Sequence, residues 1–293
     1  MKSLLIGVWS PFHGQTCNTS NAVAIAARMA VTRTFKTLLM HNSTSKSNLE
    51  NAFFPDAAVR TSISNIFDES GMDALMKLAR TNQLCSGNFR DYANSLIPDR
   101  LELLPGTARR DPRSSRLLLD QITYIVNCAR EAYEFVILDI NAGYGELSTK
   151  TLDLADVLII SLSQNMEVLR TYFERREWNP VIEDKPHLLV LGNYDENSIF
   201  TVPRIRKEFA YSGELFVVPR NVRFMDSVNQ HEVLQYFAGL QTKKKIPGEE
   251  ADFMKCLDHI IEKIICLFRL DNVNTYNPLM QKTMFDKMLG VFR

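Results

Sequence analysis

Residues 10–21, SPFHGQTCNTSN, have the types and spacing of a loop that holds an anion. They follow the apolar run 4–9 and precede the alanine-rich apolar run 22–30. A strand that enters a helix through such a turn directs backbone N–H groups and the positive end of the helix dipole at a phosphate. The candidate phosphate-binding residues are His13, Gly14, Gln15, Thr16, Cys17, Asn18 and Thr19. The alternative is a capped strand-to-helix turn that only holds the first crossover together.

This loop contains neither lysine nor arginine. A triphosphate carries about four negative charges, and each charge-assisted contact that it loses weakens binding by roughly 1.5 to 3 kcal/mol. His13 adds a positive charge only when it is protonated, and Pro11 has no N–H to donate. We therefore expect weak nucleotide binding and slow or absent hydrolysis, since a cation placed on the γ-phosphate is worth roughly 10³ to 10⁵ in rate.

A carboxylate stands near the end of the apolar run 135–140, FVILDI. Asp139 is the candidate catalytic residue, as a ligand of Mg²⁺ or as the group that positions water. Asn18 is the second candidate Mg²⁺ ligand, because this hard cation takes oxygen ligands. The alternative is that Asp139 caps a buried strand end through neighbouring backbone N–H groups.

Composition limits the classes of protein to consider. The chain has 293 residues, of which 45% are hydrophobic, enough for one large α/β core. Its 34 basic and 34 acidic residues give no net field that would draw it onto nucleic acid. The five cysteines form no CxxC pair, so a disulfide framework and a zinc site are not indicated, and a reducing cytosol is expected. No signal peptide and no membrane-spanning run is predicted.

The order of predicted elements indicates a doubly wound fold. Short β-rich runs alternate with longer helical patterns, as in a mostly parallel sheet of seven to eight strands with helices on both faces. The predicted strands are 4–9, 37–42, 101–106, 135–140, 157–162, 187–193 and 215–220. The predicted helices are 21–34, 71–78, 113–132, 166–176, 203–211 and 251–270. This core domain spans residues 1–270 and is followed by a linker, 271–278.

Four segments, in chain order, resemble the ParA/MinD branch of the P-loop ATPases, which carries a deviant Walker A loop. In that family the loop reads lysine, two glycines, any residue, glycine, lysine and two threonines. Here residues 12–19 stand at those positions, and only Gly14 and Thr19 match. His41 and Ser43 stand where the family has an Asp-x-Asp motif. Residues 133–143 are similar to the family's Walker B strand and keep Asp139.

The last segments, LVLGNYD and the stretch after Pro219, look like the family's final strands. The resemblance implies a P-loop NTPase fold, ATP or ADP with Mg²⁺ as cofactor, and a homodimer that closes over the nucleotide. It also implies adenine contacts from Asn193, Pro219 and Asn221. The alternative for Asn193 is an ordinary turn residue. The SPFHGQ loop looks most like the TadZ/CpaE group, the localisation proteins of tight-adherence pilus systems.

The C-terminal segment 279–293 predicts a short amphipathic helix. Its apolar face collects the candidate membrane-binding residues Met280, Met284, Phe285, Met288, Leu289 and Phe292. Lysines and Arg293 take the other face, a combination that suits the headgroup boundary of a bilayer. The family resemblance implies the same membrane-targeting role. The alternative is that the segment docks on its own domain or on a partner.

Together these features predict a MinD/ParA-like nucleotide-binding protein with weak or absent hydrolysis. It would act as a dimeric spatial organiser or localisation factor, cytoplasmic and peripheral on the inner membrane surface, with an unidentified protein partner. One alternative is a nucleotide-free scaffold that retains the fold. Another is a DNA-partitioning ATPase, which needs a basic stripe on its dimer face. The residues available for such a stripe are Arg204, Arg206, Lys207, Arg220 and Arg223.

Overall fold

The computed structural model of this chain describes residues 3–44, 47–55, 71–109, 111–175, 180–243 and 245–267. Its strands are β1 (Leu4–Trp9), β2 (Thr37–His41), β3 (Asn94–Ile97), β4 (Leu101–Leu103), β5 (Phe135–Asp139), β6 (Val157–Leu162), β7 (His187–Tyr194) and β8 (Leu215–Pro219). They form one sheet in the order β3-β4-β2-β5-β1-β6-β7-β8, parallel at every pairing except β3 with β4. The predicted doubly wound, mostly parallel sheet is confirmed.

Helices cover both faces of this sheet. They are α1 (Asn18–Thr32), α2 (Gly71–Arg80), α3 (Ser86–Phe89), α4 (Pro112–Ala132), α5 (Glu146–Leu154), α6 (Met166–Phe173), α7 (Val202–Glu208), α8 (Val222–Asn229), α9 (Val233–Thr242) and α10 (Gly248–Leu267). Alternate residues of β1 serve two separate apolar cores. Ile6 and Val8 pack in the core of α1, α9 and α10, while Leu5 and Trp9 pack in the core of α2, α4 and α6. Burial on both faces explains why β1 is a continuous apolar run.

Some predicted bounds differ from the structure. Helix α1 begins at Asn18 rather than at residue 21, so Asn18 and Thr19 belong to its first turn. Strand β4 ends at Leu103, shortly before Pro105, which has no N–H for the sheet. The sequence pattern missed β3, α3, α5, α8 and α9, which are short elements stabilised by packing rather than by their own propensity.

The predicted linker 271–278 and the predicted amphipathic helix 279–293 lie outside the described residues. Over the described part of the chain, none of the helices combines the length and the apolar character needed to cross a bilayer.

Candidate functional site

The loop after β1 is fixed to the loop after β5. The indole Nε1 of Trp9 donates to the carbonyl of Gly143 at 3.0 Å, and the Gly143 N–H donates to the carbonyl of Ser10 at 2.9 Å. Within the loop, the Phe12 N–H donates to Ser10 Oγ at 3.1 Å. Since β1 and β5 are parallel neighbours, these bonds place the candidate phosphate loop beside the carboxyl end of β5.

A second anchor comes from β7. A Cβ added at Gly192 would lie 2.5 Å from the carbonyl oxygen of Thr16 and 2.9 Å from Nδ2 of Asn21. The buried Asn21 side chain also donates to Ser161 Oγ at 3.1 Å, which ties the first turn of α1 to β6. The loop can approach the sheet this closely only because residue 192 has no side chain.

The N-terminus of α1 is open toward ligands. Cys17 precedes it in a left-handed conformation with φ 56°, and no side chain caps the helix. Gly14 has φ 73°, which favours glycine, and no atom lies within 4 Å of where its Cβ would stand. The N–H groups of Asn18, Thr19 and Ser20 have no intrahelical acceptor, because the first turn of any helix lacks one. These groups and the helix dipole favour an anion, equivalent to roughly half a positive charge.

Asp139 lies beneath this helix terminus and is buried. Asn18 Nδ2 donates to one carboxylate oxygen at 2.7 Å, and Thr19 Oγ1 donates to the other at 2.7 Å. Burial raises the pKa of Asp139 to about 6, while the hydrogen bonds from Thr19 and Asn18 oppose that rise. Near neutral pH the carboxylate is therefore mostly ionised, with both oxygens already bonded within the protein.

Magnesium does not fit this arrangement. Asn18 presents its NH₂ group, not its oxygen, to Asp139, and Thr19 takes the second carboxylate oxygen. The Asn18 Oδ1 atom is buried and has no hydrogen-bond partner among the described residues. A Mg²⁺ ion at Asp139 would share a carboxylate that already accepts two short hydrogen bonds, and Asn18 turns its NH₂ group rather than its oxygen to that carboxylate.

One cavity of about 540 Å³ brings the predicted residues together. This volume falls within the range of roughly 300 to 1,000 Å³ that small-molecule sites occupy. The sequence-predicted residues in its wall are His13, Gly14, Cys17, Asn18, Thr19, Asp139, Asn193, Pro219 and Asn221. Gln15 and Thr16 do not line it: Gln15 accepts a hydrogen bond from Asn165 at 3.3 Å, and Thr16 is buried. Phe12 lines the cavity without filling it.

The cavity has a polar end and an apolar end. Its polar end holds the loop, Asp139 and the segment after β2, including Ser43 and Asn48. Its apolar end, which sequence reasoning missed, is formed by Val218 of β8 and by Phe224, Met225, Val228 and Phe253. The rings of Phe224 and Phe253 lie 5.1 Å apart. The only sequence signal for this end was the apolar spacing of the stretch after Pro219.

The adenine-contact candidates take different positions. Asn193 is exposed, in a left-handed conformation with φ 50°, at the end of β7. Asn221 is buried, and its Oδ1 caps α8 by accepting from the Phe224 N–H at 2.8 Å. Pro219 ends β8 between them. The Asn221 oxygen is thus used within the protein, whereas Asn193 and the backbone around Pro219 face the cavity.

The described residues after β2 carry no carboxylate toward the cavity. His41 is buried, and its Nε2 lies 2.8 Å from Glu50 Oε1. Its Nδ1 accepts from the Ser43 N–H at 3.0 Å, which places the ring proton on Nε2 and makes it the donor to Glu50. Glu50 Oε1 also accepts from the Gly106 N–H at 2.9 Å. His41 therefore holds residues 47–55 against the sheet, and Ser43 reaches the cavity in its place.

No protein-family model matches the sequence, and neither does any curated protein. Among solved structures, the fold is similar to a ParA family ATPase from Chlorobium tepidum, with a TM-score of 0.66 and 14% identity over 88% of this chain and 99% of that one. It is similar to MinD with Mg-ADP from Pyrococcus horikoshii, with a TM-score of 0.63 and 13% identity over 88% and 96% of the two chains. A complex of a McdA variant from Cyanothece with ATP gives a TM-score of 0.61 and 15% identity over 90% and 96%. The chain has the P-loop NTPase fold of the ParA/MinD proteins.

Proposed function

We propose that this protein is a ParA/MinD-like nucleotide-binding protein that binds ATP or ADP weakly and hydrolyses ATP slowly or not at all. The single observation that supports this is the cavity, which collects every predicted nucleotide-contacting residue except Gln15 and Thr16. The similar solved structures include MinD with Mg-ADP and McdA with ATP. A cavity at the carboxyl ends of parallel strands is also where α/β folds bind ligands.

Slow hydrolysis follows from the chemistry of the wall. Among its described residues there is no lysine or arginine, and Lys46 lies outside the described residues. Ser43 replaces a carboxylate that the family resemblance implies, and Asp139 is engaged by Asn18 and Thr19. The described part of the site thus lacks both a fixed cation for the γ-phosphate and an unengaged base to position water.

Titration with a fluorescent ATP analogue tests nucleotide binding. Gly14→Trp places a large side chain at the cavity wall and should abolish saturable binding. Gly145→Trp is the control, because Gly145 is exposed, has open space around its Cβ and does not line the cavity. Loss of binding in both variants, or in neither, contradicts the proposed site.

At the level of the cell, the proposed role is that of a dimeric spatial organiser or localisation factor at the inner membrane surface, for example in pilus or secretion assembly. A MinC:MinD complex from Aquifex aeolicus is among the similar structures, which supports a protein partner for a chain of this fold. The C-terminal segment would supply the membrane contact, and dimerisation would double it. Deleting 279–293 should release the protein from anionic liposomes, and unchanged sedimentation with lipid would rule out that contact.

A nucleotide-free scaffold is the second candidate function. The observation that favours it is the pair of hydrogen bonds that Asp139 accepts, which make the carboxylate an anchor for the loop. Absence of saturable binding at millimolar ATP analogue would support the scaffold.

A DNA-partitioning role has less support from the surface. Arg206 donates to the carbonyls of Tyr211 and Ser212, and Arg223 lies 3.0 Å from Glu250. Arg204 lies over the ring of Phe200. These contacts engage three of the five basic residues that could form the stripe. Binding to DNA that weakens as the salt concentration rises would support the DNA-partitioning role.

A further inference from the structure

The cavity wall is rich in neutral amides and poor in charge. Asparagines from several elements line it, among them Asn18 in the first turn of α1, Asn48 after β2, Asn141 after β5, Asn193 at the end of β7 and Asn229 in α8. Amide and hydroxyl groups pair with the hydroxyls of a ribose and with the edges of a base, since each amide offers both a donor and an acceptor. They supply no countercharge for a chain of phosphates.

The charge balance of the described wall argues against a triphosphate. Its sole carboxylate there is Asp139, and its sole ionisable nitrogen is on the exposed His13. The N-terminus of α1 contributes roughly half a positive charge, which the ionised Asp139 outweighs. One phosphate at the helix terminus can be held by N–H groups alone. Each further phosphate adds negative charge that the described wall does not compensate.

Magnesium has few ligands in the described wall, where Asp139 is the one carboxylate. In other sites the metal is held by one or two carboxylates together with the phosphates. Here the carboxylate oxygens hold Asn18 and Thr19 in the first turn of α1. A metal bound there would compete with these two donors for the same carboxylate and would weaken their hold on the turn that presents the N–H groups.

The apolar end offers the main source of affinity. Phe224, Phe253 and Val218 are buried, but Met225 is 47% exposed although it lines the cavity. A flat base laid against α8 would cover Met225 and remove its apolar surface from water. The binding energy would then come from the nucleoside rather than from the phosphates.

We infer that the cavity is a metal-independent nucleoside site. It takes an adenine nucleoside or its monophosphate at least as well as ATP, with the base against α8, the ribose among the asparagines, and at most one phosphate at the N-terminus of α1. This inference rests on the proposed nucleotide-binding cavity and specifies the ligand class of that same site.

Calorimetric titration of the full-length protein with adenosine, AMP, ADP and ATP, each in excess MgCl₂ and in EDTA, tests the inference. The four dissociation constants should agree within about threefold, or favour adenosine and AMP, and EDTA should leave them unchanged. A magnesium-dependent preference for ATP over AMP beyond that factor overturns the inference while leaving the proposed function intact. If none of the four ligands binds, the proposed function fails and this inference with it.

A pair of variants on α8 tests the placement of the base. Met225→Gln should weaken all four ligands by the same factor, about tenfold, because every one of them carries the base. Val222→Gln is the matched control, since Val222 is 55% exposed on the same helix and does not line the cavity. A loss confined to ATP and ADP, or an equal loss in the control, overturns this placement.

Discussion

Restoring one cation to the loop should convert the site into one that prefers ATP. The perturbation is Cys17→Lys, which places an ammonium group in the residue before α1, where the family resemblance implies a lysine. Cys17 already holds a left-handed backbone with φ 56°, so lysine needs no new conformation. The residue is exposed and lines the cavity, so its replacement disturbs no core packing.

The size of the effect follows from one new hydrogen bond between the ammonium group and a phosphate oxygen. A hydrogen bond to a charged group contributes roughly 1.5 to 3 kcal/mol, and solvent screening at an exposed position favours the lower value. An improvement of about tenfold in the ATP dissociation constant is therefore expected, because about 1.4 kcal/mol corresponds to a factor of ten. Adenosine, which has no phosphate, should bind unchanged.

Isothermal titration of both ligands measures this change. Cys17→Gln is the control, because glutamine has an extended side chain without the charge, and it should leave both affinities as in the wild type. The improvement in Cys17→Lys should also decline as salt rises. If lysine leaves the ratio of ATP to adenosine affinity unaltered, phosphate does not lie at the N-terminus of α1 and the loop is only a structural turn.

Three further predictions concern stability. The pKa of Asp139 is raised to about 6, so ionisation of this carboxyl lowers the free energy of unfolding as pH rises from about 4 to about 6. Asp139→Asn has no ionisable group at this position, so its free energy of unfolding should decline by roughly 3 kcal/mol less than that of the wild type over this range. Urea unfolding of both proteins across this pH range measures the difference. Gly192→Ala should lower the free energy of unfolding by about 2 kcal/mol and weaken ligand binding, because the added Cβ would meet the Thr16 carbonyl. Gly239→Ala in α9 is the control: its Cβ meets no neighbouring atom, and the variant should be more stable than the wild type by about 0.5 to 1 kcal/mol. Arg28→Met removes the partner of the Asp258 carboxylate on α10 and should lower the free energy of unfolding by about 2 kcal/mol in the same assay. A decrease below a few tenths of a kcal/mol would show that this ion pair is energetically neutral.

The sheet was predictable because its signal is local. Runs such as Leu4–Trp9 and Val157–Leu162 are mostly apolar and six residues long, which is the pattern expected of a strand buried on both faces of a parallel sheet. The short helices α8 and α9 gave no comparable signal, since they depend on packing against the sheet and on α10.

The sequence by itself determined the chemistry available at the site: a loop without lysine or arginine, one acidic residue at the end of β5, and amides in place of charges. Only the tertiary structure decided how that chemistry is used. Asp139 meets Asn18 and Thr19 from some 120 residues away, and these bonds engage the carboxylate that the sequence presented as a metal ligand. The apolar end of the cavity likewise joins β8, α8 and α10. Periodicity reports which face of an element is buried, but contacts between distant segments depend on how those elements are arranged in the fold.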